Sequence, residues 1–167
     1  VIFLSPVLMW LLLVQVLNSP LKIRLVLAVL AALGLVCAFE CSDQFFATNQ
    51  ATIQQYEKNP QTMLEPLGLE IGSLDHFLFE HRLYSSGVNG FFTTRNSAGS
   101  FLLMAFLAAL GLAHEAFVAQ RSKSVSGVNS LICSVAAAVI LGALLLTKSK
   151  GALAGLILVA LCLMLFY

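Results

Sequence analysis

Two arginines stand where the chain returns from a polar segment to an apolar one. Arg82 follows a stretch with histidine and acidic residues, and Arg95 comes just before a long uncharged run. A guanidinium is permanently charged and presents forked donors that fit phosphate oxygens. Asn96 adds a polar side chain at the predicted start of a helix, where free backbone amides attract anions. One interpretation is a site for a phosphate-bearing ligand. The other is a well-capped membrane helix with an interfacial arginine, and the residues alone favour neither.

Two lysines occupy a second position of the same kind. Lys148 and Lys150 flank Ser149 in a four-residue turn at 147–150, between two uncharged runs. One interpretation is that these lysines only anchor helix ends among lipid headgroups. The other is that they form an anion site facing the outer surface. The residues themselves favour neither interpretation.

Histidine and glutamate crowd the segment just before Arg82. His76, Glu80 and His81 lie within two helical turns of one another. A histidine close to a cation could act as a general base toward a charged substrate. The competing interpretation is a solvated helix face with an i, i+4 pair between His76 and Glu80, and we favour it because such pairs commonly stabilise surface helices.

The composition indicates what kind of protein must position these groups. The chain has 167 residues, of which 59% are hydrophobic and 10% charged, with a formal net charge of +1. An ordinary soluble domain carries about 25% charged residues and could not hide so much apolar side chain. These proportions exclude a globular cytosolic enzyme, a disordered chain and a nucleic-acid binder of the basic-patch type. They indicate an integral membrane protein.

Uncharged runs about as long as a bilayer is thick predict the fold class, an all-α polytopic membrane bundle. A membrane crossing takes about 20 mostly apolar residues. We expect the first and second helices, and the fourth and fifth, to be antiparallel neighbours joined by short turns. The five predicted helices cover about 2–17, 22–39, 97–119, 127–147 and 151–167.

The segment between the second and third membrane helices has a different composition. Residues 40–100 hold seven of the eight acidic residues and two of the three histidines. The sequence therefore predicts two membrane helices over 1–39, an outer loop with interfacial helices over 40–100, and three membrane helices over 101–167. Within the loop, Ser73 is a predicted N-cap, and the helix after it directs its apolar side toward lipid or the bundle.

Basic residues in the short connections predict the orientation, because Lys and Arg prefer the cytoplasmic side. The connection between the first and second predicted helices and the connection between the third and fourth lie on the same side. We assign that side to the cytoplasm. The loop 40–100 and the turn at 147–150 then lie outside. The cytoplasmic basic residues are Lys22, Arg24, Arg121 and Lys123.

Two segments resemble motifs of the O-antigen ligase-like proteins. Residues 90–99 read GFFTTRNSAG and are similar to the family's turn Gly-aromatic-x-x-x-x-Asn-x-x-Ala/Gly, which runs straight into a membrane helix. Residues 147–152 read TKSKGA and resemble its Thr-x-Ser-Arg-Gly-Ala turn, with Lys150 in place of the usual Arg. Arg82 resembles the family's Arg ahead of the glycine turn. Together the motifs cover residues 82–167.

The resemblance implies an integral membrane glycosyltransferase of the bacterial inner membrane, with the loop 40–100 in the periplasm. Such proteins transfer a glycan from an undecaprenyl-pyrophosphate carrier to an acceptor lipid or glycan, as ligases or polymerases, without a metal or another cofactor. The implied partners are the carrier-linked glycan, the acceptor and membrane lipids, and no nucleic acid. The implied pyrophosphate ligands are Arg82, Arg95, Asn96, Lys148 and Lys150.

The same resemblance places the catalytic histidine in a later outer loop, so neither His76 nor His81 receives that role. We therefore expect this chain to be a fragment without the catalytic-histidine loop. Two other functions compete with the transferase. One is a non-enzymatic membrane bundle or transporter component, and the other is an outer loop that binds a lipid or glycan without chemistry.

Overall fold

The computed structural model describes residues 15, 17–85, 87–121 and 127–166. Within these residues the chain is helical, and the predicted all-α membrane bundle is confirmed. The first predicted membrane helix, 2–17, lies almost entirely outside the described residues. The predicted division of the chain into membrane helices over 1–39, an outer loop over 40–100 and membrane helices over 101–167 stays a prediction.

Seven α-helices follow one another along the described chain. A π-helical segment, Gln44–Thr48, joins the first two into a continuous helix of 39 residues. A short 3₁₀ segment, Glu65–Leu67, follows the third. The helices are α1 Pro20–Asp43, α2 Asn49–Lys58, α3 Pro60–Leu64, α4 Leu74–Tyr84, α5 Arg95–Arg121, α6 Gly127–Leu146 and α7 Lys150–Phe166.

Four of these helices correspond to the predicted membrane helices, and their ends agree to within four residues. The helices that contain α1, α5 and α6 are long and apolar enough to cross a membrane, whereas the apolar part of α7, Lys150–Cys162, is shorter. Large apolar side chains cover the outside of the bundle. Phe39 is 74% exposed and Leu131 is 65% exposed. Lipid is the solvent that such a surface requires.

Small side chains line the contact between α1 and α5. In a membrane, burial of apolar surface does not favour protein over lipid, so small residues that permit close van der Waals packing hold helices together. The tightest position is Gly34, where a Cβ would lie 2.5 Å from the Cβ of Ala105. On the α6 side, Ile140 and Leu144 are fully buried and complete the core.

The last helix packs differently from the prediction. Only a short turn joins α6 to α7, yet in the described residues α7 packs chiefly on α5. Glycines explain this choice, because a Cβ on Gly99 would lie 2.8 Å from the Cβ of Ala152, and a Cβ on Gly155 would lie 3.0 Å from Leu103. The prediction that the fourth and fifth membrane helices are packed neighbours is therefore wrong.

The two ends of the bundle differ in chemistry. At one end, Arg24 of α1 donates from Nε to Oε1 of Glu115 on α5 at 2.6 Å, and α5 ends at Arg121. At the other end, α5 begins at Arg95 and α7 begins at Lys150. The basic residues assigned to the cytoplasm thus share one end, except Lys123, which lies outside the described residues. The membrane side that each end faces stays a prediction.

Helix α4, the amphipathic helix of the loop, directs its apolar side away from the described bundle. Its predicted cap is confirmed, since the Ser73 hydroxyl accepts the N–H of His76 at 3.1 Å. Leu74 and Phe77 are 75% and 58% exposed. The sequence predicted that this apolar side faces either lipid or the bundle. In the described residues it does not contact the bundle.

The substitution Gly34→Ala tests the close contact between α1 and α5. The added methyl group would collide with Ala105, so α1 must move away from α5. We expect the free energy of unfolding to fall by about 1–3 kcal/mol, measured by denaturant titration in detergent micelles. Gly142→Ala is the matched control, because a Cβ there meets nothing within 4 Å. Equal effects of the two substitutions would contradict the packing.

Candidate anion-binding site

A cavity of about 670 Å³ opens where α4 leads into α5. Both Arg82 and Arg95 line it, although they belong to different helices. Among the described residues, no carboxylate lines this cavity, so two positive charges face it without a negative protein group. Its lining consists of His81, Arg82, Ser85, Gly87, Asn89, Thr93, Thr94 and Arg95.

Ser85 connects the two arginines. Its Oγ donates to the backbone oxygen of Arg82 at 2.6 Å and accepts a hydrogen bond from Nη2 of Arg95. Gly87 lies against the same side chain, since a Cβ there would lie 2.7 Å from Nε of Arg95. Arg95 is accordingly half-buried, whereas Arg82 is exposed.

The glycine turn ahead of α5 rests directly on α1. Gly90 has a φ of +54°, a backbone conformation that favours glycine. A Cβ at this position would lie 3.0 Å from Sγ of Cys37 and 3.2 Å from Sγ of Cys41. Both cysteines are buried and unbridged, one helical turn apart on the same face of α1. The end of a membrane helix therefore supports the segment that carries Arg95.

The side chain of Gln44 holds this glycine turn in place through hydrogen bonds. Its Oε1 accepts the N–H groups of Asn89 and Gly90 at 3.2 and 3.0 Å, and its Nε2 donates to the Gly90 oxygen at 2.9 Å. One side chain thus satisfies three backbone groups that lie outside any helix. Sequence reasoning missed Gln44, because nothing nearby in the sequence distinguishes it from the other polar residues of the loop.

Asn96 contacts the start of α7. Ser149 donates from Oγ to Oδ1 of Asn96 at 3.0 Å, and the same Oγ accepts the N–H of Ala152 at 3.2 Å as the N-cap bond of α7. Gly99 permits this approach, since a Cβ on it would lie 2.7 Å from the Cβ of Ser149. The two segments that carry the family resemblance are therefore in direct contact.

In the turn at 147–150, two exposed lysines alternate with two buried hydroxyl residues. Thr147 is fully buried, and Ser149 is 2% exposed. Lys148 and Lys150 are exposed on either side of Ser149, and Lys148 has a φ of +53°. Both lysines are thus exposed, while the Thr147 hydroxyl donates to the Leu144 oxygen and the Ser149 hydroxyl caps α7.

The five predicted site residues form two adjoining groups. Arg82 and Arg95 line the cavity, whereas Asn96, Lys148 and Lys150 do not. The second group nevertheless begins one residue after Arg95 and is joined through Ser149. The structure brings both groups to one end of the bundle. Their binding of pyrophosphate stays a prediction.

His76 and Glu80 belong to a separate cluster. Oη of Tyr56 lies 2.7 Å from Nε2 of His76 and donates to Oε1 of Glu80 at 2.8 Å. The N–H of Gly72 donates to Nδ1 of His76 at 3.1 Å, so in the neutral ring the proton belongs on Nε2. Burial, followed by the hydrogen bond to Glu80, raises the pKa of Tyr56 to about 12, so this hydroxyl keeps its proton at neutral pH.

This cluster ties α4 to α2 and does not face the cavity. The predicted i, i+4 pair of His76 and Glu80 is present, with 3.6 Å between Nε2 and Oε1. The pairing is thus as predicted, but the predicted solvated face is wrong for His76, which is 8% exposed because it packs beneath Tyr56. His81 differs, because it is exposed and lines the cavity beside Arg82.

Comparison with known proteins yields no match to a family model, a curated protein or a solved structure. In the described parts of the chain, no three His, Cys, Asp or Glu side chains are grouped as metal ligands. What the chain binds must therefore be inferred from its own residues.

The substitution Gln44→Ala tests the support of the glycine turn. It removes the three hydrogen bonds to the turn and a fourth to Glu40, and unsatisfied buried polar groups cost about 1–3 kcal/mol each. We expect faster amide exchange at Asn89 and Gly90, measured by hydrogen–deuterium exchange and mass spectrometry of a peptide over 87–94. Gln54→Ala, at an exposed glutamine of α2, should leave exchange there unchanged. Exchange that is the same in both variants would contradict this role of Gln44.

Proposed function

We propose that this chain belongs to an O-antigen ligase-like membrane glycosyltransferase and binds the pyrophosphate of an undecaprenyl-linked glycan. Transfer to an acceptor lipid or glycan would take place at the periplasmic face of the bacterial inner membrane. The observation that carries the proposal is the cavity where Arg82 and Arg95 meet without a lining carboxylate, next to the contact between Asn96 and Ser149. The resemblance of both turns to that family supports it.

Fixed positive charge is what this reaction needs. When the glycosidic bond to the carrier breaks, negative charge grows on the departing pyrophosphate oxygen. Preorganised donors aimed at that oxygen stabilise the transition state, and more strongly where water is partly excluded. Two guanidinium groups can donate several charge-assisted hydrogen bonds to the phosphate oxygens. Arg82 and Arg95 therefore take the role of leaving-group stabilisers.

The position of the cavity suits a ligand delivered by the membrane. Arg95 is the first residue of α5, and that helix continues directly into the apolar bundle. A group bound beside it would lie at the boundary between headgroups and hydrocarbon, where a lipid-linked pyrophosphate lies. A soluble anion would not require a site at this depth.

The lysine turn extends the positive surface beyond the cavity. Lys150 stands where the family has Arg, and it keeps the charge but lacks the bidentate fork. Lys148 and Lys150 are exposed and are the chain neighbours of Ser149, which bonds Asn96. We propose that these two lysines attract the part of the pyrophosphate that extends out of the cavity. An ammonium group does this as a point charge, without the fixed geometry of a guanidinium.

The proton of the acceptor hydroxyl is not assigned to a described residue. Both ring nitrogens of His76 are already hydrogen-bonded, which makes it a poor base. The resemblance implies that a histidine of a later outer loop takes this proton. The described residues thus account for donor binding and departure rather than for acceptor activation.

Binding of a polyprenyl diphosphate to the chain in lipid nanodiscs tests the proposal. Arg82→Ala and Arg95→Ala each remove a charged donor, which contributes about 1.5–3 kcal/mol. We expect each to weaken binding by about tenfold or more. Arg121→Ala, at the opposite end of α5, is the matched control and should bind like the wild type. Unchanged binding in both site variants, or an equal loss in the control, would contradict the proposal.

A further inference from the structure

We infer that Ser85 and Gly87 are positioning residues that hold the guanidinium of Arg95 in the cavity before any ligand arrives. The inference rests on the proposed function, because it assumes that Arg95 binds the pyrophosphate. Neither residue carries charge, and neither belongs to the segments 90–99 and 147–152 that resemble the family motifs.

Gly87 leaves the space that the arginine occupies. A Cβ at this position would lie 2.7 Å from Nε, 2.8 Å from Cδ and 2.8 Å from Cζ of Arg95. Three atoms of one side chain therefore fill the place of a methyl group. The close approach of Arg95 thus leaves no room for a side chain at position 87.

Ser85 fixes the other side of the same group. Its hydroxyl proton is used in the hydrogen bond to the Arg82 oxygen, which leaves the oxygen lone pairs for Nη2 of Arg95. One hydroxyl thereby sets the distance between the segment that bears Arg82 and the guanidinium of Arg95. The guanidinium of Arg95 is thereby held beside the last turn of α4, which bears Arg82.

This arrangement lowers the cost of binding. A free arginine side chain has many rotamers, and ordering it on binding costs up to about 2 kcal/mol. Contacts that order it in advance leave more of the interaction with the anion as affinity. The atoms that Gly87 meets belong to the flexible end of a side chain, so an added methyl group would displace Arg95 rather than the backbone.

A double-mutant cycle tests this role in the full chain reconstituted in nanodiscs, with a polyprenyl diphosphate as the probe. We expect Gly87→Ala to weaken binding by about two- to tenfold, the size expected for ordering one side chain. In the Arg95→Ala background the same substitution should have no further effect. Gly111→Ala is the matched control, because a Cβ there meets nothing within 4 Å.

Ser85 provides a second and independent variant. Ser85→Ala should weaken binding to a similar extent, whereas Ser85→Thr keeps the hydroxyl and should restore it. Thermal unfolding of each variant establishes that the fold is retained. A merely structural role of Ser85 would lower the melting temperature without this dependence on the hydroxyl.

The outcomes separate the two proposals. If Arg95→Ala weakens binding while Gly87→Ala and Ser85→Ala bind like the wild type, the positioning role is overturned and the proposed function stands. A further loss from Gly87→Ala in the Arg95→Ala background also overturns the positioning role. If Arg95→Ala binds like the wild type, the positioning role is overturned, and the proposed function falls with it when Arg82→Ala also binds like the wild type.

Discussion

The contact between the first turns of α5 and α7 is the constraint on which the polar end of the bundle depends. Ser149 is 2% exposed, so its hydroxyl must find a partner in the protein, because an unsatisfied buried polar group is costly in low dielectric. Asn96 and Ser149 satisfy each other at 3.0 Å, and Gly99 allows the two backbones to approach. Because both helices continue from this contact into the bundle, Arg95 and Lys150, their first residues, come to the same end.

Rigid elements carry the cavity beside this contact. The glycine turn rests on the two cysteines of α1 and is fastened by Gln44, so α1 sets the position of the residues that lead to Arg95. A site supported in this way needs little reorganisation when an anion binds. The charge of its two arginines is uncompensated by any carboxylate in the described lining. Binding of an anion would neutralise it.

The sequence predicted what depends on local composition. Uncharged runs located α1, α5, α6 and α7, and Ser73 was recognised as a cap because capping needs only neighbouring residues. The packing of α7 on α5 was not predictable from short connections, since it depends on glycines that meet across the bundle. The roles of Gln44 and Ser85 were missed for the same reason. Each acts through a partner that only the folded chain brings near, and neither has a local signal.

Solid-state NMR of phosphorus–nitrogen contacts tests the central claim most directly. The chain would be labelled with ¹⁵N at arginine, reconstituted in bilayers and loaded with a polyprenyl diphosphate. We predict that the guanidinium nitrogens dephase the diphosphate phosphorus signals, and that Arg82→Lys combined with Arg95→Lys abolishes this dephasing while Arg24 and Arg121 remain. Dephasing that persists in the doubly substituted chain, or none in the wild type, would contradict the placement of the pyrophosphate between Arg82 and Arg95.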